Sequence, residues 1–254
     1  MTASNERFRR LVAHDYDLIA SSGAVLPTAR LYDEAILGEL PERCSLVVDV
    51  GCGTGELTAK LAHRAARVVG IDISAGAIRT ARERNRSSAV DFKVAAVEEL
   101  PAILGPDRCS AIIANRVLHH CGDMNGVVVD LVSLLEPEGK LVVLDLDSTG
   151  RGASWARRAL VTILYYATLV FKGLLAGKPL QAVRDISAER RAYASLGWQQ
   201  HLSHEPHYEW RDIRDALDGA GACFVRRRVN WKFHLFSSQL GTPLKDRSVT
   251  CRGS

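Results

Sequence analysis

From Asp49 to Gly55 the chain reads Asp-Val-Gly-Cys-Gly-Thr-Gly, an acid followed by glycine at every second position, with apolar Val47 and Val48 ahead of it. Glycine allows close approach of a backbone to a ligand and tolerates positive φ, so Gly51, Gly53 and Gly55 read as a ligand-holding turn at the end of a strand. A helix opening near Thr54 would aim its unpaired N–H groups at that ligand. The spacing bears on what is held. A dinucleotide fingerprint wants glycine at the sixth place counted from Gly51, and Glu56 stands there. A carboxylate beside a pyrophosphate repels it, whereas a ligand with a cationic centre and no phosphate tolerates the charge. An NAD-dependent oxidoreductase is therefore the weaker reading. Further on, Val68–Asp72 (VVGID) is a second apolar run ending in an acid, and Asp72 is suited to accept two hydroxyl hydrogen bonds from a ribose diol.

Two groups of histidines are candidates for proton chemistry. His119 and His120 follow the apolar segment Cys109–Asn115, where either a proton acceptor or a loop-ordering hydrogen bond fits. His201, His204 and His207 lie three apart around Pro206, which breaks a continuous helix, and the spacing is not one used for zinc; His201 and His204 fit an acceptor pocket better. A magnesium site would want an acid where Asn115 stands, and Asp145 with Asp147 does not make one, so no metal is expected.

These residues need a scaffold. Helices are expected over about 7–20 and 28–40, then strands near 46–50, 67–72, 90–95, 110–115 and 139–146 alternating with helices. Their continuous apolar runs suit parallel strands covered on both faces. A helix near 209–219 and strands near 223–229 and 231–237 complete the pattern, and the polar tail from Ser238 is expected to be poorly ordered. The resulting expectation is an α/β fold: a Rossmann-like three-layer αβα sandwich with a seven-stranded, mostly parallel sheet, an antiparallel last strand and a helical insertion. Its parts would be an N-terminal helical cap (1–44), a binding core (45–147), an insertion (148–205), a completing helix and hairpin (206–237) and a tail (238–254).

The insertion is where specificity should reside, because such segments overhang the crevice at the carboxyl ends of the strands. Ala159–Phe171 (ALVTILYYATLVF) carries no charge, follows Arg157 and Arg158, and precedes Lys172. Thirteen uncharged residues are too few for a bilayer, which needs roughly twenty, so the segment reads as a buried, lid or interfacial helix, the blander alternative being a lid helix packed on the core. One side, with Tyr165 and Tyr166, would line a greasy acceptor pocket or touch a membrane over 153–177.

VVDVGCGTG followed by VVGID resembles the class I S-adenosylmethionine-dependent methyltransferases. The resemblance continues through Asp91–Pro101, Cys109–His120 and Leu134–Asp145, which are similar to that family's later strand segments. Phe8–Ala20 and the Leu118-His119-His120 run are most similar to the branch with quinone C-methyltransferases and small-molecule methyltransferases. The resemblance implies S-adenosyl-L-methionine as cofactor and S-adenosyl-L-homocysteine as product. It assigns Asp49 and the three glycines to the loop, Asp72 to the ribose, Ile73 and the Val97 amide to adenine, Asn115 to the methionine part, and Tyr16 to the cofactor side. The blander alternatives are that Asp49 only satisfies loop amides and that Asn115 caps a helix starting at Arg116. One position departs: the family usually carries an acid where Ala96 stands, and alanine cannot accept the adenine amino hydrogen. That loss is worth about 1 kcal/mol unless Glu98 or a carbonyl substitutes.

Composition fits a single globular enzyme of 254 residues, 47% apolar, 24% charged and with net charge +4. Arg226, Arg227 and Arg228 read as a wet strand face, not a nucleic-acid patch. The six cysteines form no C-x-x-C pair and look like small buried hydrophobes, and the polar N-terminal segment has no apolar signal core. A cytoplasmic protein, peripheral to a membrane at most, is the expectation. The function implied is methyl transfer to an apolar or aromatic small molecule at oxygen, nitrogen or carbon, the other reading being a catalytically degenerate cofactor-binding interaction protein. Which atom is methylated and the oligomeric state stay open.

Overall fold

The computed structural model describes residues 3–21, 32–146, 155–194, 210–228 and 233–239. His201, His204, His207, Asp147 and the chain beyond Gln239 fall outside the described residues. Strands β1 (Cys44–Val50), β2 (Ala65–Asp72), β3 (Val90–Val94), β4 (Cys109–Asn115), β5 (Leu135–Leu146), β6 (Cys223–Arg228) and β7 (Phe233–Gln239) form one sheet. Their order is β3-β2-β1-β4-β5-β7-β6, with β1 to β5 parallel and β7 antiparallel to both its neighbours. The chain runs outward from β1 through β2 to β3, then returns to lay β4 on the other side of β1. A crevice must open at the carboxyl ends of β1 and β4, where the direction of winding reverses.

Alternation along β1 builds the two helical layers, because successive side chains in a strand point to opposite faces. Leu46, Val48 and Val50 face α5 (Leu100–Leu104), α6 (Met124–Ser133) and α9 (Trp210–Gly219), sharing a core with Leu104, Leu131 and Leu217. Val47 faces the other way, into Ile36 of α2 (Asp33–Leu37) and Leu57 and Leu61 of α3 (Glu56–Leu61). Ile78 and Ala81 of α4 (Ala75–Arg84) pack on Phe92 of β3. The same period of two puts Asp49 on the side of Val47, beneath α3.

Helix α1 (Ala3–Ser21) is fastened to the start of α4. The Asp17 carboxylate accepts from the Ser74 hydroxyl at 2.6 Å and from the Gly76 amide at 2.8 Å, while Ser74 Oγ caps α4 by accepting from the Ala77 amide. A carboxylate at a helix N-terminus satisfies orphan amides and complements the dipole.

Several boundaries differ from the sequence-based expectation. Helix α3 starts at Glu56, with left-handed Gly55 as its N-cap, not near Thr54. Strand β5 begins at Leu135 through a register shift opposite Cys109 and Ala111, so it is longer than the apolar run 139–146. Ser238 and Gln239, assigned to the tail, are part of β7, paired with Leu141 and Lys140. Backbone pairing needs no apolar side chain, so polar residues lengthen the strand unannounced. Within the expected helix over 28–40, residues 32–40 are described and the helix there runs over Asp33–Leu37, ending at Gly38. Cys44, Cys52, Cys109 and Cys121 are buried as expected, but Cys223 is exposed. The described insertion comprises two helices, α7 (Trp155–Leu175) and α8 (Pro179–Tyr193), packed against each other and joined at Gly177, whose φ of 67° closes the turn.

Candidate active site

The loop after β1 has Gly51, Gly53 and Gly55 at φ of 68°, 53° and 78°, a left-handed conformation at every second residue that L side chains rarely adopt. A Cβ on Gly51 would come within 2.8 Å of Val117 Cγ2, and one on Gly55 within 2.8 Å of Phe92 Cζ, so protein closes on both. Gly53 is different: among the described residues, its chain neighbours aside, no heavy atom lies within 4 Å of where its Cβ would be. Its amide donates to Asp72 Oδ2 at 2.9 Å, and the Ser74 amide donates to Oδ1 at 2.8 Å. The tip of the β1 loop and the acid ending β2 are thereby joined at the carboxyl edge of the sheet.

Buried carboxylates line this edge. Asp49 accepts from the Thr58 hydroxyl at 2.6 Å, and burial pushes its pKa up to about 7, opposed by Thr58 and reinforced by Asp33 and Asp72. Burial likewise raises Asp72, with the Ser74 and Gly53 amides opposing. Asp33 is raised by burial against the pull of Lys60, 2.7 Å away. Burial drives the neighbouring Cys52 thiol well up, so it stays protonated and is no nucleophile.

Asp49 makes stability depend on pH. Below about pH 4 both the folded and the unfolded chain hold its proton. As pH rises toward 7 the unfolded chain ionises while the folded one stays protonated, so stability falls, and the loss is complete above the folded pKa of about 7. Asp49→Asn should remove this slope. Urea unfolding at pH 5 and pH 8 should show wild type losing on the order of 2 kcal/mol more than the variant; equal losses would contradict the raised pKa.

Beyond β4 the chain places the two histidines differently. His119 is buried, and its Nδ1 hydrogen-bonds Asp145 Oδ1 at 2.6 Å. His120 lies with its ring centroid 3.8 Å from that of His119, and its Nε2 is 3.4 Å from the Tyr16 hydroxyl. Asp145 thus orients His119, His119 backs His120, and α1 brings Tyr16 to His120. Tyr16, assigned to the cofactor side by resemblance, meets the histidine pair. The turn that carries them begins with Arg116 at φ 57°, followed by a 3₁₀ turn over Leu118–His120. No helix starts at Arg116 for Asn115 to cap. Instead Asn115 Oδ1 and Arg116 Nε are buried without a hydrogen-bond partner among the described residues.

Ile73 follows Asp72 directly and is half-buried. Ala96 and Val97 sit after β3, where the Ala96 amide donates to Glu99 Oε2 at 2.7 Å. Tyr165 and Tyr166 are on α7, whose main packing partner is α8. His201 and His204 lie outside the described residues. Among the described residues no group of His, Cys, Asp or Glu is arranged to hold a metal ion. Sequence reading missed Asp17, Ser74 and Arg116; only Ser74, standing just ahead of a helical run, carried a local signal, that of an N-cap.

Comparison with known proteins places this geometry. Residues 44–193 match the family model described as a methyltransferase domain. A ubiquinone biosynthesis O-methyltransferase of Xanthomonas euvesicatoria is 35% identical over 129 residues, covering 50% of this chain and 52% of the relative. An uncharacterized methyltransferase of Mycobacterium tuberculosis is 33% identical over 113 residues, 44% of this chain and 56% of the relative. The chain thus spans about half the length of the curated relatives it matches. In fold it is similar to the 1,6-didemethyltoxoflavin-N1-methyltransferase of Burkholderia thailandensis, solved with 1,6-didemethyltoxoflavin and S-adenosylhomocysteine. That likeness has a TM-score of 0.62 at 16% identity and covers 95% of this chain and 92% of the other. With 150 of its residues in the matched segment, the chain belongs to the methyltransferase domain family.

Proposed function

We propose that the protein is a metal-independent S-adenosylmethionine-dependent methyltransferase acting on an apolar or aromatic small molecule. The observation that carries the reading is the Gly53–Asp72 junction: open space over a glycine whose amide is held by a buried ribose-type acid. S-adenosylmethionine supplies a methyl already activated on a sulfonium sulfur. The chain's own task is then to bind, align and exclude water.

Asp72 keeps lone pairs free beyond those given to Gly53 and Ser74, enough for two ribose hydroxyls. Ile73 and the Val97 amide take the adenine, and Ala96 leaves the adenine amino group without the usual carboxylate. Asn115, with its orphan Oδ1, takes the ammonium of the methionine part. Asp49 supports the loop from below. His120, held between Tyr16 and His119, takes a proton from the acceptor where one must leave. Tyr165, Tyr166, His201 and His204 are proposed for the acceptor side.

His120→Ala should lower turnover by about a hundredfold or more with cofactor affinity unchanged, whereas His119→Ala, by freeing Asp145, should lower stability as well. Equal, wild-type turnover in both variants would remove the pair from the chemistry. The function itself is tested by methyl transfer from labelled S-adenosylmethionine to a panel of phenols, quinols, amines and heteroaromatics. Labelled product from an apolar member supports the reading; cofactor binding with no product from any member would return the non-catalytic alternative.

A further inference from the structure

The helical hairpin α7–α8 leaves an apolar stripe uncovered. Leu160, Ile163, Phe171 and Leu174 of α7 are 55% to 64% exposed. With exposed Ala167 they recur at intervals of three and four residues, the period of one helix face. The stripe continues through Leu175 at the turn to Leu180 and Val183 of α8, which are 51% to 75% exposed. Its inner side is used: Leu169 is buried, and a Cβ on Gly173 would collide with Ala182 Cβ, so the two helices already touch there. From Leu160 to Leu174 the stripe is on the order of 20 Å long at 1.5 Å per residue. An apolar surface of this extent in water marks an interaction site.

Charge says what covers it. From Ser148 to Arg184 the chain has six cations, Arg151, Arg157, Arg158, Lys172, Lys178 and Arg184, and no acid. Lys178 and Arg184 are exposed beside the stripe, and the next acid, Asp185, accepts from Gln181 at 2.6 Å. A second copy of the chain would bring like charges together across a two-fold seam. A surface that is apolar within and anionic at its face matches both features at once. No helix among the described residues is long and apolar enough to cross a membrane, so the hairpin would lie in the interface.

We infer that the outer face of α7–α8 docks on a membrane surface bearing anionic lipid headgroups, entering it with Leu160, Ile163, Phe171, Leu174 and Leu180 and flanking it with Lys178 and Arg184. The inference extends the proposed apolar acceptor, since a lipid-dissolved molecule would be met at that surface, but it stands without it.

The test is co-sedimentation of the full chain with phosphatidylcholine vesicles, with and without about 30% phosphatidylglycerol, at low and at about 1 M salt. S-adenosylhomocysteine binding is measured on the same samples, so that a failed cofactor site is seen separately from a failed lipid surface. Wild type should pellet with the anionic vesicles and much less with the neutral ones, and salt should weaken the binding. Leu175→Glu/Leu180→Glu, at exposed positions, should lower partitioning by about tenfold or more with cofactor binding intact, and Lys178→Glu/Arg184→Glu should abolish the preference for anionic vesicles. Absence of vesicle binding would overturn the inference. So would variants that partition like wild type, or a dimer in size-exclusion chromatography that the leucine variants dissociate.

Discussion

Asp72→Ala is expected to abolish measurable binding of S-adenosylhomocysteine at micromolar concentrations while leaving the protein folded. Two effects add in this one residue. The ribose proposed at Asp72 would lose two charge-assisted hydrogen bonds, worth about 1.5–3 kcal/mol each, and the Gly53 amide loses its acceptor at 2.9 Å. Calorimetry checks the binding and circular dichroism the fold. A folded variant with unchanged affinity would mean that the ribose lies elsewhere.

The second large effect concerns Gly53. It shares a left-handed φ with Gly51 and Gly55, but the open space over it sets it apart from them, where an added carbon runs into Val117 or Phe92. Valine at Gly51 or Gly55 should therefore damage the fold. Gly53→Val should leave a folded protein with a strained loop and an isopropyl group in the ligand's space, lowering cofactor affinity by about a hundredfold or more. Thermal melts with and without S-adenosylhomocysteine separate the two classes. Normal ligand stabilisation of Gly53→Val would show that the glycine loop is not the site.

These residues were legible in the sequence because their signal is local: an acid and alternating glycines within seven residues, and an acid ending the next apolar run. What was not legible depends on distant partners. Asp17 is an ordinary helix acid until the fold brings it to Ser74, 57 positions away, and Tyr16 meets His120 across 104 positions. No residue-type rule announces that Arg116 takes a left-handed turn that redirects the chain after β4. The outer face of α7 was hidden for another reason. Ala159–Phe171 is apolar on every side, so periodicity cannot choose between Leu164 or Leu169 and Leu160 or Ile163. The fold decides it: Leu169 is buried and Leu160 exposed. The places of β1, β2 and β4 along the chain, by contrast, followed from their apolar runs, because parallel strands covered on both faces are apolar nearly throughout.

The proposed function requires that the site built on the glycine loop and Asp72 hold S-adenosylmethionine and not a dinucleotide. Isothermal titration of the full chain with S-adenosylhomocysteine and, separately, with NAD tests it directly. A one-to-one, micromolar isotherm with S-adenosylhomocysteine that Asp72→Ala removes, and no heat with NAD, is the expected result. Saturable binding of NAD, or a flat titration with S-adenosylhomocysteine by the folded protein, would contradict it.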